Sequence, residues 1–103
     1  MIIIKSHEEI QLMREAGAVT AQILAHLFQI IRPGITTKDV DDYVERTILK
    51  YKMIPAFKGY NGYPASACVS VNQQVVHGIP SENVVLQDGD IINIDASTIC
   101  NGY

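Results

Sequence analysis

The chain has 103 residues, 48% of them hydrophobic and 18% charged, with a formal net charge of −3 and a pI near 5.4. That length holds one small domain with a modest core, and the composition is that of a globular chain and not of a disordered one. The lysines and arginines are scattered instead of forming a stripe, which argues against nucleic acid as the main partner, and no apolar run nears the roughly 18 residues a membrane span needs.

Met1 to Lys5 is too short for a signal h-region and leads at once into charged residues, so it reads as no export signal. Ile2 to Ile4 could add a short strand or pack a helix from outside. Cys68 and Cys100 have no CxxC spacing and fit free thiols in a reducing compartment, which together with the start points to the cytoplasm. Ser6 supplies a helix N-cap, with Glu9 three residues on completing a capping box. Ile10, Met13, Gly17, Thr20, Ile23 or Leu24, Leu27 and Ile30 or Ile31 then recur at spacings of three and four, the mark of an amphipathic helix with one buried stripe, ended by Arg32-Pro33-Gly34. Thr36 and Thr37 cap a second helix, whose stripe is Val40, Tyr43, Val44, Thr47, Ile48 and Tyr51, closed by Pro55. The acidic residues Asp39, Asp41, Asp42 and Glu45 lack calcium-loop spacing and read as a solvated face.

After Pro55 the texture changes. Phe57 to Pro64, reading FKGYNGYP, is loop chemistry with three aromatics, a combination more typical of a binding surface than of a linker. Ala67 to Val71 reads as a strand, Asn72-Gln73 as a turn and Gln74 to His77 as a returning strand, which predicts a β-hairpin. Gly78 to Ser81 breaks the pattern, and Val84 to Leu86 is a short strand. The Asp88-Gly89 turn then launches a strand from Ile91 to Thr98, and Ile99 to Tyr103 enters another hairpin turn. Two helices followed by strands and hairpin turns predict an α+β layer: the helices pack on one face of a largely antiparallel sheet and leave the other face free. No linker composition interrupts the chain, so residues 1–103 are expected to form a single unit.

Along the last long strand Ile92 and Ile94 point one way while Asn93 and Asp95 point the other. A carboxylate late in an isoleucine strand needs a cation, a dense set of donors, or solvent. Taken alone, His77 is a turn or surface histidine, Tyr60 and Tyr63 are loop anchors, and Cys68 is a small buried hydrophobe. His7 and His26 lie on the first helix and read as solvated or partly packed.

The strings GYNGYPASACVSVNQQVVHGIP and LQDGDIINIDAS resemble type I methionine aminopeptidases, enzymes of the pita-bread fold that remove the initiator methionine from new proteins. The resemblance implies the first half of that fold and a hydrolase using two divalent ions, manganese, cobalt, iron or zinc. Two aspartates, a histidine and two glutamates hold those ions in the family. On this sequence the resemblance maps the first aspartate ligand onto Asp95 and the substrate-contacting, catalytic histidine onto His77. Phe57, Tyr60, Tyr63 and Cys68 fall at positions lining the pocket for the methionine side chain. The implied substrate is the N-terminal methionine of nascent peptides, met near the ribosome, with no nucleic acid read directly and no membrane. The other four ligands fall outside these residues, so the chain alone is expected to be inactive, with no tightly held metal. The alternative is a non-catalytic half-domain that pairs with itself as a homodimer or acts as an interaction module. A binding protein built on the same fold without peptidase activity is a third reading, and the HGIP turn and Asp95 count against it.

Overall fold

Ser6 sits in the extended region, and its hydroxyl accepts the Glu9 amide at 3.1 Å, opening helix α1 (His7–Ile30) in the computed structural model, which describes residues 1–103. The expected capping box is only half formed. The Glu9 carboxylate instead lies near the Tyr103 hydroxyl and holds that phenol above its usual range. Helix α2 (Thr37–Lys50) has the complete box: Thr36 Oγ1 accepts the Asp39 amide at 3.0 Å, and Asp39 Oδ2 accepts the Thr36 amide at 2.8 Å. These bonds hold the Asp39 carboxyl below the usual carboxylate range.

The buried stripe of α1 is Ala16, Val19, Ile23 and Leu27. The expected stripe departs from this in the first half of the helix, where Ile10 and Met13 are 42% and 48% exposed and Gly17 meets nothing. The helix carries two apolar stripes, and periodicity alone does not say which one the sheet covers. The second runs through Ile10, Met13, Leu24 and Phe28 and faces outward, with Phe28 88% exposed. In α2 Val40, Val44 and Ile48 of the expected stripe are fully buried and Tyr43 and Thr47 partly so, while Tyr51 at its end is exposed. Asp41 joins the buried residues and is not solvated, because its carboxylate accepts two backbone amides. Ile2, Ile3 and Ile4 are exposed and form neither strand nor packing layer.

Strand β1 (Ile54–Pro55) follows α2; then come a single 3₁₀ turn at Tyr60–Gly62, β2 (Ala67–Val71), β3 (Ile92–Ala96) and β4 (Thr98–Ile99). The expected strand from Ile91 to Thr98 is thus split at Ser97, and its two parts pair separately, β3 with β2 and β4 with β1, both antiparallel. Thr20 of α1 hydrogen-bonds Thr98 of β4 at 2.8 Å and ties the smaller pair to the helix. Val84 to Leu86 forms no regular strand. It pairs with the connection between the helices through Gly34 N to Leu86 O, Leu86 N to Ile35 O and Thr37 N to Val84 O.

The predicted hairpin is not formed: the partner of β2 is β3, and residues 74–77 have no strand structure. The Gln74 side chain takes up the Val71 amide, and Asn72 crosses to the other turn, donating to Asp90 Oδ1 at 2.9 Å and accepting from the Ile91 amide at 3.0 Å. These bonds occupy the polar groups a hairpin would have used, and the chain swings outward with Val75, Val76 and His77 exposed. It comes back at Gly78, whose carbonyl accepts the Val69 amide at 2.8 Å and whose amide donates to Ser70 Oγ at 3.0 Å. One residue covers what would otherwise be the open edge of β2.

The core cluster is Val19, Ile23 and Leu27 of α1, Val40, Val44 and Ile48 of α2, and Ala67 and Val69 of β2. Ile92, Ile94 and Ala96 of β3 pack against it from the side. Helices cover one face of the β2–β3 pair only, and the molecule is a slab 45 × 28 × 19 Å with a radius of gyration of 14.6 Å. A closed domain of this length would have about 13 Å.

A Cβ on Gly78 would lie 2.2 Å from the Val69 carbonyl oxygen and 2.8 Å from Ser70 Cα, both backbone atoms that cannot step aside. Gly78→Ala is therefore expected to lift the turn off β2 and to lower stability by about 1–3 kcal/mol, the range for overpacking. Urea unfolding with amide shifts at Val69 and Ser70 checks this; unchanged stability and shifts would contradict it.

Candidate active site

Registered pairing decides what the outer face of the sheet carries. Cys68 stands opposite Asp95 and Ser70 opposite Asn93, so these four side chains share the face turned away from the helices. The Phe57 to Pro64 loop and the turn through Gly78 rise on either side of it. The result is an open pocket of about 590 Å³ lined by Phe57, Tyr60, Tyr63, Cys68, His77 and Asp95. All six residues singled out in the sequence meet there. Ile79, Pro64, Asn61 and Gly62, to which the sequence reading gave no role, also line the pocket; their place inside the HGIP and GYNGYP strings was the available signal.

The aromatic wall is built by tight turns. Gly59 takes φ 82°, Asn61 φ 48° and Gly62 φ 79°, left-handed conformations that reverse the chain twice within eight residues. Phe57 and Tyr63 pack edge to face, with ring centroids 6.4 Å apart. Tyr63 Oη donates to the Ala67 carbonyl at 2.9 Å and lies 3.4 Å from the Gly78 carbonyl, linking the loop to β2 and to the opposite turn. Burial first, then the Cys68 thiol and the carboxylates of Asp41 and Asp95, push the Tyr63 hydroxyl well above the usual phenol range. It remains a protonated donor throughout the neutral range.

His77 is one of five non-glycine residues at positive φ, at 58°. Its side chain is exposed at the pocket rim, one residue before the anchored Gly78. Left-handed histidine is uncommon and concentrates where function holds a side chain in place. Asp95 is exposed and forms no side-chain hydrogen bond or ion pair in the chain, so solvent satisfies it. An unpaired carboxylate in a pocket suits a hard or borderline divalent cation, as one ligand among several.

A second group of acids offers a contrast. Carboxylates of Asp41, Asp42 and Glu45 lie within 4.8 Å of one another. Lys38 pairs with Asp42 and lies 3.6 Å from Asp41, Lys58 pairs with Glu45, and Asp41 is taken up by backbone amides. Those donors account for the charge without an ion. His26 is exposed with Nδ1 3.1 Å from the Tyr43 hydroxyl, and His7 is exposed; neither faces the pocket.

Known proteins are similar in sequence and in fold. The methionine aminopeptidase of Clostridium acetobutylicum is 52% identical over 103 residues, all of this chain and 41% of that protein. Methionine aminopeptidase 1 of Bacillus subtilis is also 52% identical over the same span and share. The crystal structure of methionine aminopeptidase from Thermotoga maritima superposes with a TM-score of 0.95 at 42% identity, over 98% of this chain and 41% of that one. The chain thus spans about two fifths of the length of the relatives it matches, and its α+β layer is the first part of their pita-bread fold. The profile of metallopeptidase family M24 matches residues 11–103, a stretch that takes in most of α1, all of α2, the aromatic loop and the strand of Asp95, and on this ground the chain belongs to metallopeptidase family M24.

Proposed function

We propose that residues 1–103 are the pocket-bearing part of a methionine aminopeptidase, which hydrolyses the bond after an N-terminal methionine of nascent peptides. The observation that carries this reading is the convergence of Phe57, Tyr60, Tyr63, Cys68, His77 and Asp95 in one pocket. The aromatic rings and the Cys68 thiol offer a soft apolar surface suited to a thioether side chain. His77, brought forward by its left-handed backbone, is within the pocket to contact the substrate backbone and stabilise charge that develops there. Asp95 is one of the five metal ligands that the resemblance implies, and oxygen-rich ligation suits manganese, cobalt, iron or zinc. When bound, two divalent ions supply Lewis acidity and an activated water.

With one ligand of five, the chain alone should show little or no turnover. Joined to the residues that follow the matched part of the Clostridium acetobutylicum relative, it should release methionine from Met-Ala-Ser in the presence of manganese or cobalt. Asp95→Asn should then cut turnover by at least about 100-fold, beyond what the loss of an outer-shell partner brings. A folded but inactive chimera, or an Asp95→Asn chimera as active as its parent, would contradict the proposal.

A second reading is favoured by a separate observation. Leu24, Leu27, Phe28, Ile31, Ile92 and Ile94 line an apolar groove of about 420 Å³ beside the unpaired edge of β3. Exposed apolar surface next to an open strand edge invites a partner. A second copy would bring the same stripe and edge about a two-fold axis. On this reading the 103-residue chain sediments as a dimer and Phe28→Glu returns it to monomer; a wild-type chain that stays monomeric at high concentration rules it out.

A further inference from the structure

Asp41 is the only buried carboxylate in the chain, 2% exposed, and nothing in the chemistry above uses it. Its Oδ1 accepts the amides of Ser66 and Ala67, both at 2.8 Å, and Lys38 Nζ lies 3.6 Å from Oδ2. A carboxylate accepting adjacent amides makes charge-assisted bonds, roughly twice as strong as those of a neutral acceptor. The segment it grips is the one from which the pocket wall hangs. Ala67 is held on both sides, its amide by Asp41 and its carbonyl by Tyr63 Oη at 2.9 Å. The next residue is Cys68, and Tyr63 also reaches 3.4 Å from the carbonyl of Gly78, beside His77. A chain of bonds therefore runs from the helix layer through the sheet to both walls of the pocket.

We propose that Asp41 is a positioning residue for the pocket: from behind the sheet it fixes Ser66 and Ala67, and so sets where Tyr63 and Cys68 meet the apolar side chain of the ligand. This rests on reading the pocket as the site for an unbranched side chain such as that of methionine. Asp41 does not line the pocket; it acts on it through the Ser66 and Ala67 peptides and, through space, on the Tyr63 hydroxyl.

Cys68 and Cys100 are equally buried, each 6% exposed, and only Cys68 lines the pocket. Alkylation of the 103-residue chain with iodoacetamide, read at each cysteine by peptide mass, separates local from global loosening. Asp41→Asn keeps the side-chain volume but weakens the two bonds, and should speed modification of Cys68 by about threefold, with Asp41→Ala speeding it by about tenfold or more. Cys100 should hold its rate in both. Should Asp41→Ala fail to fold, the Asp41→Asn result decides. Equal acceleration at both cysteines, or an unchanged Cys68 rate in Asp41→Asn, would overturn the proposal. L-norleucine, a methionine isostere, should slow Cys68 alkylation in the wild-type chain. Absence of that protection, with the variants behaving as stated, would sink the methionine-pocket reading while supporting the positioning role.

Discussion

The antiparallel register that sets Cys68 opposite Asp95 is the constraint on which the rest of the structure depends. A slip of one residue would turn Ile92 and Ile94 away from the helices and drive Asp95 into an apolar layer beside Ile23 and Val44. Burying an ionised carboxylate there without a partner costs several kcal/mol, far more than a single strand pair contributes. The same pattern that secures the core therefore fixes the outward direction of the one carboxylate in the pocket. Asn72 pins the register at its far end, its side chain bridging Asp90 and Ile91.

From that register the two faces divide their tasks. The inner face, Ala67, Val69, Ile92, Ile94 and Ala96, is covered by α1 and α2. The outer face gains its walls from segments with irregular backbone: the aromatic loop with three left-handed residues, and the turn in which His77 is left-handed and Gly78 lies flat on β2. Irregular segments carry chemistry well only when a rigid scaffold anchors them. Here the anchors are identifiable bonds: Gly78 to Val69 and Ser70, Tyr63 to Ala67, and Asp41 to Ser66 and Ala67. The groove of Leu24, Phe28 and Ile92 lies beside the free edge of β3, on a chain that spans two fifths of its relatives' length.

Much of this was legible in the sequence where one local rule acted alone. Ser6 and Thr36 opened the helices, Arg32-Pro33-Gly34 ended the first, and the alternation of Ile92, Asn93, Ile94 and Asp95 gave both strand and orientation. The misreadings came where a distant partner decided. Gln74 to His77 had strand-forming residues, but the side-chain bonds of Gln74 and Asn72 turn the chain outward, and Gly78 takes the edge of β2 that β3 leaves. Asp41 looked like one more acid on a solvated helix face, and only the amides of Ser66 and Ala67, 25 and 26 residues away, explain its burial. The two apolar stripes of α1 were indistinguishable by period, because which of them is covered depends on where the sheet lies. The aromatic loop was marked as a binding surface by its composition, but the individual pocket residues were singled out only by motif resemblance.

On the proposed reading, a divalent ion would be drawn to the outward face of β3 through Asp95 and not to the acidic group on α2. Stepwise addition of manganese to the isotopically labelled chain tests it most directly, since the paramagnetic ion broadens amide signals near wherever it binds. The account predicts that broadening begins at Cys68, His77 and Asn93 to Ala96 and is relieved in Asp95→Asn. Broadening centred on Lys38 to Glu45, or left unchanged by Asp95→Asn, would contradict it.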